Sequence, residues 1–216
     1  VSYLLRVQLP DRPGSLGSLA LALGSVGADI LSLDVVERGV GYAIDDLVVE
    51  VPQGALPDTL ITACESITDV RVDSLRPYSG MLDTHRELEL IDQVASARDD
   101  RLQALVDGVP RVLRVGWSTV LDMGPQGAFR VVGSPSAPET QASTAPWMPL
   151  EKPVMLDGEA DWVPKIWRDM DTALAAAPLG NTGKVLLLGR PGGPEFRPSE
   201  VARLGYLAGI IATVLG

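Results

Sequence analysis

Hydrophobic and polar positions alternate from the start of the chain. Between Ser2 and Leu9, Tyr3, Leu5, Val7 and Leu9 fall on one side and Arg6 and Gln8 on the other, which predicts a half-buried strand. After the Pro10–Gly14 turn the period changes. Leu16, Leu19, Ala20, Leu23 and Val26 recur at spacings of three and four, one helical stripe closed by Gly27. Alternation returns over Asp29 to Glu37, with Leu31, Leu33 and Val35 inward, and over Ala43 to Val51, with Leu47, Val49 and Val51 inward; Gly39 and Gly41 make the pair a hairpin. Gln53 to Ile67 reads as a helix with Pro57 in its first turn and Leu56, Leu60, Ala63 or Cys64, and Ile67 as its stripe. A fourth strand, Val70 to Leu75, completes the order βαββαβ, which folds into a four-stranded antiparallel sheet with two helices on one face, a ferredoxin-like sandwich.

Beyond a short linker, Arg76 to Gly80, the pattern starts again. Leu82, Leu88, Ile91 and Val94 predict one helix, and Leu102, Leu105, Val106 and Val109 a second. Val115 to Met123 and Ala128 to Gly133 form a hairpin about Gly124–Gly127. Ser134 to Pro149 is a long loop rich in Pro, Ser, Thr and Ala, followed by a brief strand at Pro153–Leu156. Thr172 to Pro178 turns through Gly180–Gly183 into the continuous apolar run Val185–Leu188, and a final helix follows Ser199 as N-cap, with Val201, Leu204, Leu207, Ala208, Ile211 and Leu215 on its stripe. The organisation expected is two domains, residues 1–78 and 79–216, of α+β class.

Composition narrows the function. The 216 residues are 46% hydrophobic and 21% charged, enough apolar material for a core in each half. The net charge of −10, with no basic run, argues against nucleic acid or an anionic membrane as partner. Residues 1–78 hold five basic and eleven acidic side chains, leaving −4 for the remainder. The one cysteine, Cys64, lies in an apolar helical pattern and cannot form an internal disulfide, which fits a reducing compartment and a buried small hydrophobe. No signal peptide or membrane span precedes or interrupts the pattern, so a soluble, cytoplasmic protein is expected. His85 is the one histidine and is read as a surface residue. A Ser-His-Asp set, a metal cluster and a nucleotide fingerprint are all missing, so the chain is read as non-enzymatic, with no cofactor and no metal.

The stretch DRPGSLGSLA, Asp11 to Ala20, carries the candidate chemistry. Backbone N–H groups of Gly14, Ser15 and Leu16 stand at a helix N-terminus, where the dipole favours a carboxylate by about 0.3–1 kcal/mol. Arg12 is either part of that site or a solvated turn residue. Asp11 either holds the turn through an Asx bond or faces a ligand. Asp45 and Asp46 are neighbours in a strand, point to opposite faces and cannot form a dyad.

The DRPG-x-L turn after a first strand, with GADI entering the second, resembles an ACT domain, the small-molecule-sensing module of amino-acid metabolism, over residues 1 to about 77. The resemblance implies domains that pair side by side as a homodimer and bind an amino acid at the interface. It places the ligand among Asp11, Arg12, Pro13, Gly14, Ser15 and Leu16, with Asp29 and Ile30 at the start of the second strand. Asp29 stands where the family often has asparagine; it either meets the ligand ammonium, caps the strand turn or repels the ligand carboxylate. In the second half, PLGNTGKVLLLGRPGGPEFRPSEVARLGYLAGIIATVL resembles the closing strand and helix of a GAF-like domain, over residues 85 to 216. That implies an antiparallel sheet with helices on one side and a small-ligand pocket on the other. Trp117, Trp147, Trp162 and Trp167 either wall such a pocket or anchor core and loops. Without Cys and with only His85 here, bilin attachment and haem ligation are disfavoured. The function expected is a ligand-sensing regulatory protein with a second sensor or partner-binding domain. The rival readings are a ligand-free dimerisation plate, or an enzyme built on the Trp-rich half.

Overall fold

A computed structural model describes residues 1–78 and 86–216. Leu82 and His85 lie outside the described residues. The chain divides into two compact units, Val1–Leu82 and Asp83–Gly216, of mixed α and β structure with one antiparallel sheet in each. No helix among the described residues is long and apolar enough to cross a membrane.

The first unit runs β1 (Ser2–Pro10), α1 (Ser15–Ser25), β2 (Asp29–Arg38), β3 (Tyr42–Glu50), α2 (Asp58–Glu65) and β4 (Arg71–Pro77). Its sheet has the order β2-β3-β1-β4, antiparallel throughout. Leu5, Val7 and Leu9 of β1 join Leu47 and Val49 of β3 beneath Leu19 and Leu23 of α1 and Leu60 and Cys64 of α2. Burial there pushes the Cys64 thiol up to about 11, so it is an unreactive core residue.

Four details differ from the pattern. The opposite face of β1 is also buried: Arg6 is only 2% exposed, and Leu4, Ile44 and Val48 lie on the same side. A bulge between Ile30 and Ser32 takes Leu31 out of the ladder and puts Ile30 opposite Val49, so Ile30 packs on the core. Leu16 and Ala20 are exposed because α1 covers the sheet along Leu19 and Leu23 only. Finally, α2 begins at Asp58, because Gly54 has φ 90° and Pro57 disfavours helical backbone before it; Leu56 is left exposed.

The second unit contains α3 (Arg86–Ser96), α4 (Arg101–Leu113), β5 (Trp117–Gly124), β6 (Gly127–Gly133), β7 (Val154–Leu156), α5 (Lys165–Asp169), β8 (Ala173–Pro178), β9 (Val185–Arg190) and α6 (Pro198–Leu215). The sheet order is β6-β5-β9-β8-β7. One face, through Val120, Ala175, Leu186 and Leu188, packs on α3, α4 and α6. The other, through Leu121, Leu174, Val185 and Leu187, is covered by the long loop and α5. The run Val185–Leu188 is thus buried on both faces, as its unbroken apolar character predicts. The last helix starts at Pro198 rather than after Ser199, since proline suits the first helical position; the Glu200 carboxylate accepts the Arg197 N–H at 2.9 Å.

Helix α4 is longer than its stripe suggested and carries Pro110 inside it. A proline at that position donates no hydrogen bond to the carbonyl four residues back, Val106. The buried Ser118 hydroxyl of β5 donates to that carbonyl at 2.7 Å. Ser118→Ala leaves the carbonyl unpaired and is expected to cost about 1–2 kcal/mol. Denaturant melts of Ser118→Ala, Pro110→Ala and the double variant check this: the loss from Ser118→Ala shrinks once residue 110 can donate its own N–H.

Candidate functional site

Pro10 ends β1, and the chain then turns twice within four residues. The Asp11 N–H donates to the Gly41 carbonyl at 3.2 Å, tying the turn to the β2–β3 hairpin. The Arg12 N–H donates to Pro10 at 2.9 Å, and the Ser15 N–H to Arg12 at 3.2 Å. Gly14 sits at φ 92°, a left-handed conformation that a residue with Cβ adopts at a cost. Of the three amides expected to face an anion, that of Ser15 is therefore used inside the turn. The N–H groups of Leu16 and Gly17 meet no acceptor among the described residues.

Beside them is a cleft of about 240 Å³, lined by Arg12, Pro13, Gly14, Ser15 and Ser18 on one side and by Ile67, Thr68 and Val70 on the other. The second wall is the loop from α2 into β4, shaped by Asp69 at φ 65°. Sequence reasoning missed this wall; its only signal was the Ser66–Asp69 run of turn-forming residues between helix and strand. Among the described residues, Arg12 is the one charged side chain lining the cleft. A single fixed cation beside a helix N-terminus suits a carboxylate.

The other expected site residues lie elsewhere. Asp11 and Leu16 are exposed and outside the cleft lining. Asp29 is exposed opposite Glu50, which itself faces Ser2, so it stands at the far end of the sheet from Pro10. Eight strand steps separate the two ends, about 27 Å. Within one copy Asp29 and the turn therefore lie at opposite ends of the sheet. Helix α1 carries the chain back along the sheet before β2 begins. Ile30 belongs to the core.

Asp45 and Asp46 do point to opposite faces, opposite Val7 and Arg6 respectively. Both are buried nonetheless. Arg6 holds Asp46 with two bonds, Nε to Oδ1 at 2.7 Å and Nη2 to Oδ2 at 2.9 Å. Asp45 is 1% exposed, and its Oδ1 has no partner. Burial raises its pKa above the ordinary aspartate value; Arg38 opposes that, while Asp11 and Asp46 add to it. A carboxyl raised in the folded state contributes stability below the ordinary aspartate range and loses it as pH climbs through the folded-state value. Asp45→Asn is therefore expected to stabilise the protein at pH 7. Thermal melts across pH 3 to 8 check it: the gain fades toward acid.

In the second unit the tryptophans face one another. Trp117 and Trp167 have ring centroids 4.9 Å apart, and Trp147 and Trp162 5.6 Å. Trp117 and Trp167 are buried, and the other two pack against the same cluster. They fill the loop-covered face of the sheet, so an open aromatic-walled pocket does not occupy its centre. No group of His, Cys, Asp and Glu able to hold a metal ion occurs among the described residues.

No family model and no curated protein matches the chain. Among solved structures it is similar to an unknown protein from Galdieria sulphuraria, with 11% identity and a TM-score of 0.34, over 99% of this chain and 90% of that one. It is also similar to a formyltetrahydrofolate deformylase from Pseudomonas putida, with 11% identity and a TM-score of 0.30, over 47% of this chain and 39% of the deformylase. The chain thus spans well under half the length of the deformylase, and likenesses at this level carry no argument about fold or activity.

Proposed function

We propose that the protein is a non-catalytic, ligand-sensing regulator. Its first unit is an ACT-type, ferredoxin-like domain that binds an amino acid where two copies meet, and its second is a GAF-like sensor or partner-binding domain. The observation that carries the reading is the turn cleft, lined by Arg12 and by Ser15 and Ser18 of the first turn of α1. The βαββαβ order and the β2-β3-β1-β4 sheet support the ACT resemblance. The second unit's sheet, with helices on one face and a loop-covered opposite face, supports the GAF one.

The cleft supplies the partner for a carboxylate but not for an ammonium, since among the described residues no acidic side chain lines it. A second copy would bring a carboxylate to the same end of the sheet. Strand β2 is a sheet edge on which Leu33 and Val35 are 38% and 46% exposed. Pairing two such edges antiparallel about their midpoint sets Asp29 of the second copy opposite Arg38, at the end of the sheet where Gly41 holds the Asp11 turn.

Titration calorimetry with the common amino acids tests the proposal. One of them is expected to bind, and Arg12→Ala to weaken it about tenfold; no heat and no melting shift with any of them would sink the amino-acid part. The exposed apolar edge equally favours a second reading, a dimerisation plate without ligand. Gly14→Val separates the two: lost ligand response with an intact dimer by sedimentation supports the sensor, and an unchanged function supports the plate.

A further inference from the structure

The second unit holds a cleft of about 510 Å³ that the amino-acid reading does not use. That volume is in the range of small-molecule sites. Its walls come from four separate stretches: the start of β5, the long loop, α5 with the residue after it, and Pro191 beyond β9. Hydrogen bonds fix these walls to one another. Ser136 Oγ donates to the Gly116 carbonyl at 2.7 Å. Arg130 Nη1 donates to the Pro138 carbonyl at 2.7 Å, and the Arg130 N–H to Gln141 Oε1 at 3.2 Å. The Gly192 N–H reaches the carbonyls of Met170 at 2.9 Å and Asp171 at 3.0 Å. A ligand entering such a site orders little of the protein, so less of its binding energy is lost.

The lining dictates the chemistry. Trp117, Pro138, Ile166, Met170 and Pro191 are apolar. Ile166 and Met170 are 50% and 49% exposed, large apolar side chains left open beside a buried tryptophan pair. Among the described residues, Glu139 is the one charged lining residue, and it is exposed. An apolar body with a cationic end matches this arrangement.

We propose that this cleft binds a small organic cation with an apolar body, of the arylalkylamine class, with its ammonium end toward Glu139. The proposal rests on the reading of the second unit as a sensor and gives that sensor a ligand class. It is independent of the amino-acid site.

Phenethylamine is the probe, titrated into the full chain by calorimetry and tryptophan fluorescence, with 2-phenylethanol and 3-phenylpropionate as the neutral and anionic counterparts. Saturable binding is expected in the order amine, alcohol, carboxylate. Glu139→Gln should weaken the amine about threefold and leave the alcohol unchanged, the size expected of an exposed ion pair. Glu139→Lys should reverse the preference between amine and carboxylate, and Met170→Lys should remove amine binding. Absence of saturable amine binding overturns the proposal. So does carboxylate binding as tight as the amine, or amine binding indifferent to both lysine substitutions. If Met170→Lys lowers the melting temperature, the charge reversal at the exposed Glu139 decides alone. Because phenethylamine has no carboxylate, failure here leaves the amino-acid titrations as they stand. Failure of those titrations likewise leaves this result standing.

Discussion

Asp46→Ala is expected to destabilise the protein by about 3–5 kcal/mol, because it takes from the buried Arg6 guanidinium the carboxylate that it binds with two hydrogen bonds. Arg6 and Asp46 are each 2% exposed and face each other across the two central strands, joined by a two-pronged bond. Removing one partner is far costlier than removing both. The Arg6→Met, Asp46→Leu double variant replaces the pair with apolar bulk and is expected to recover most of the loss. Urea denaturation of the two single variants and the double gives the coupling directly. A double variant as unstable as Asp46→Ala alone would show that the pair is not the source of the effect.

Gly189→Ala is the second large change. Glycine at 189 lies on β9, hydrogen-bonded to β5 and β8 on either side, and a Cβ there would come within 2.0 Å of the Trp117 ring. The strand is held by both neighbours and cannot retreat. The indole is held by Trp167 at 4.9 Å and cannot swing into that space. The clash is expected to cost about 3 kcal/mol, the upper end for overpacking a core. It should also blue- or red-shift tryptophan emission, since two of the four indoles must move. Trp117→Leu in the Gly189→Ala background should restore stability; failure to do so would place the strain elsewhere.

The parts of the fold legible in the sequence were those with local periodicity. Tyr3, Leu5, Val7 and Leu9 marked the inner face of β1, and the α6 stripe from Leu204 to Ile211 is the buried face of that helix. What periodicity could not reveal was pairing across distance. Arg6 looked solvated because nothing in the neighbourhood of β1 indicates that a carboxylate 40 positions later would lie beside it. The stripe of the second helix stops at Val109, and the serine that satisfies Val106 beneath Pro110 is on another element. The candidate site was legible in one half only. Gly14 and the turn were readable from DRPG, whereas the wall formed by Ile67, Thr68 and Val70 arrives by tertiary folding. The distance of Asp29 from the turn followed from the direction of α1, yet closeness in sequence obscured it.

The bond from the Arg130 N–H to Gln141 also bears on how the protein behaves when crowded. Strand β6 is one border of the second sheet, and its Arg130 amide is already occupied by a side chain of the same molecule. The opposite border, β7, is only three residues long. A growing fibre adds strands to a long, open ladder; β7 is too short to offer one, and the bond to Gln141 interrupts the one on β6. In concentrated solution this half of the chain is a poor seed for ordered aggregation, despite its Val- and Leu-rich centre.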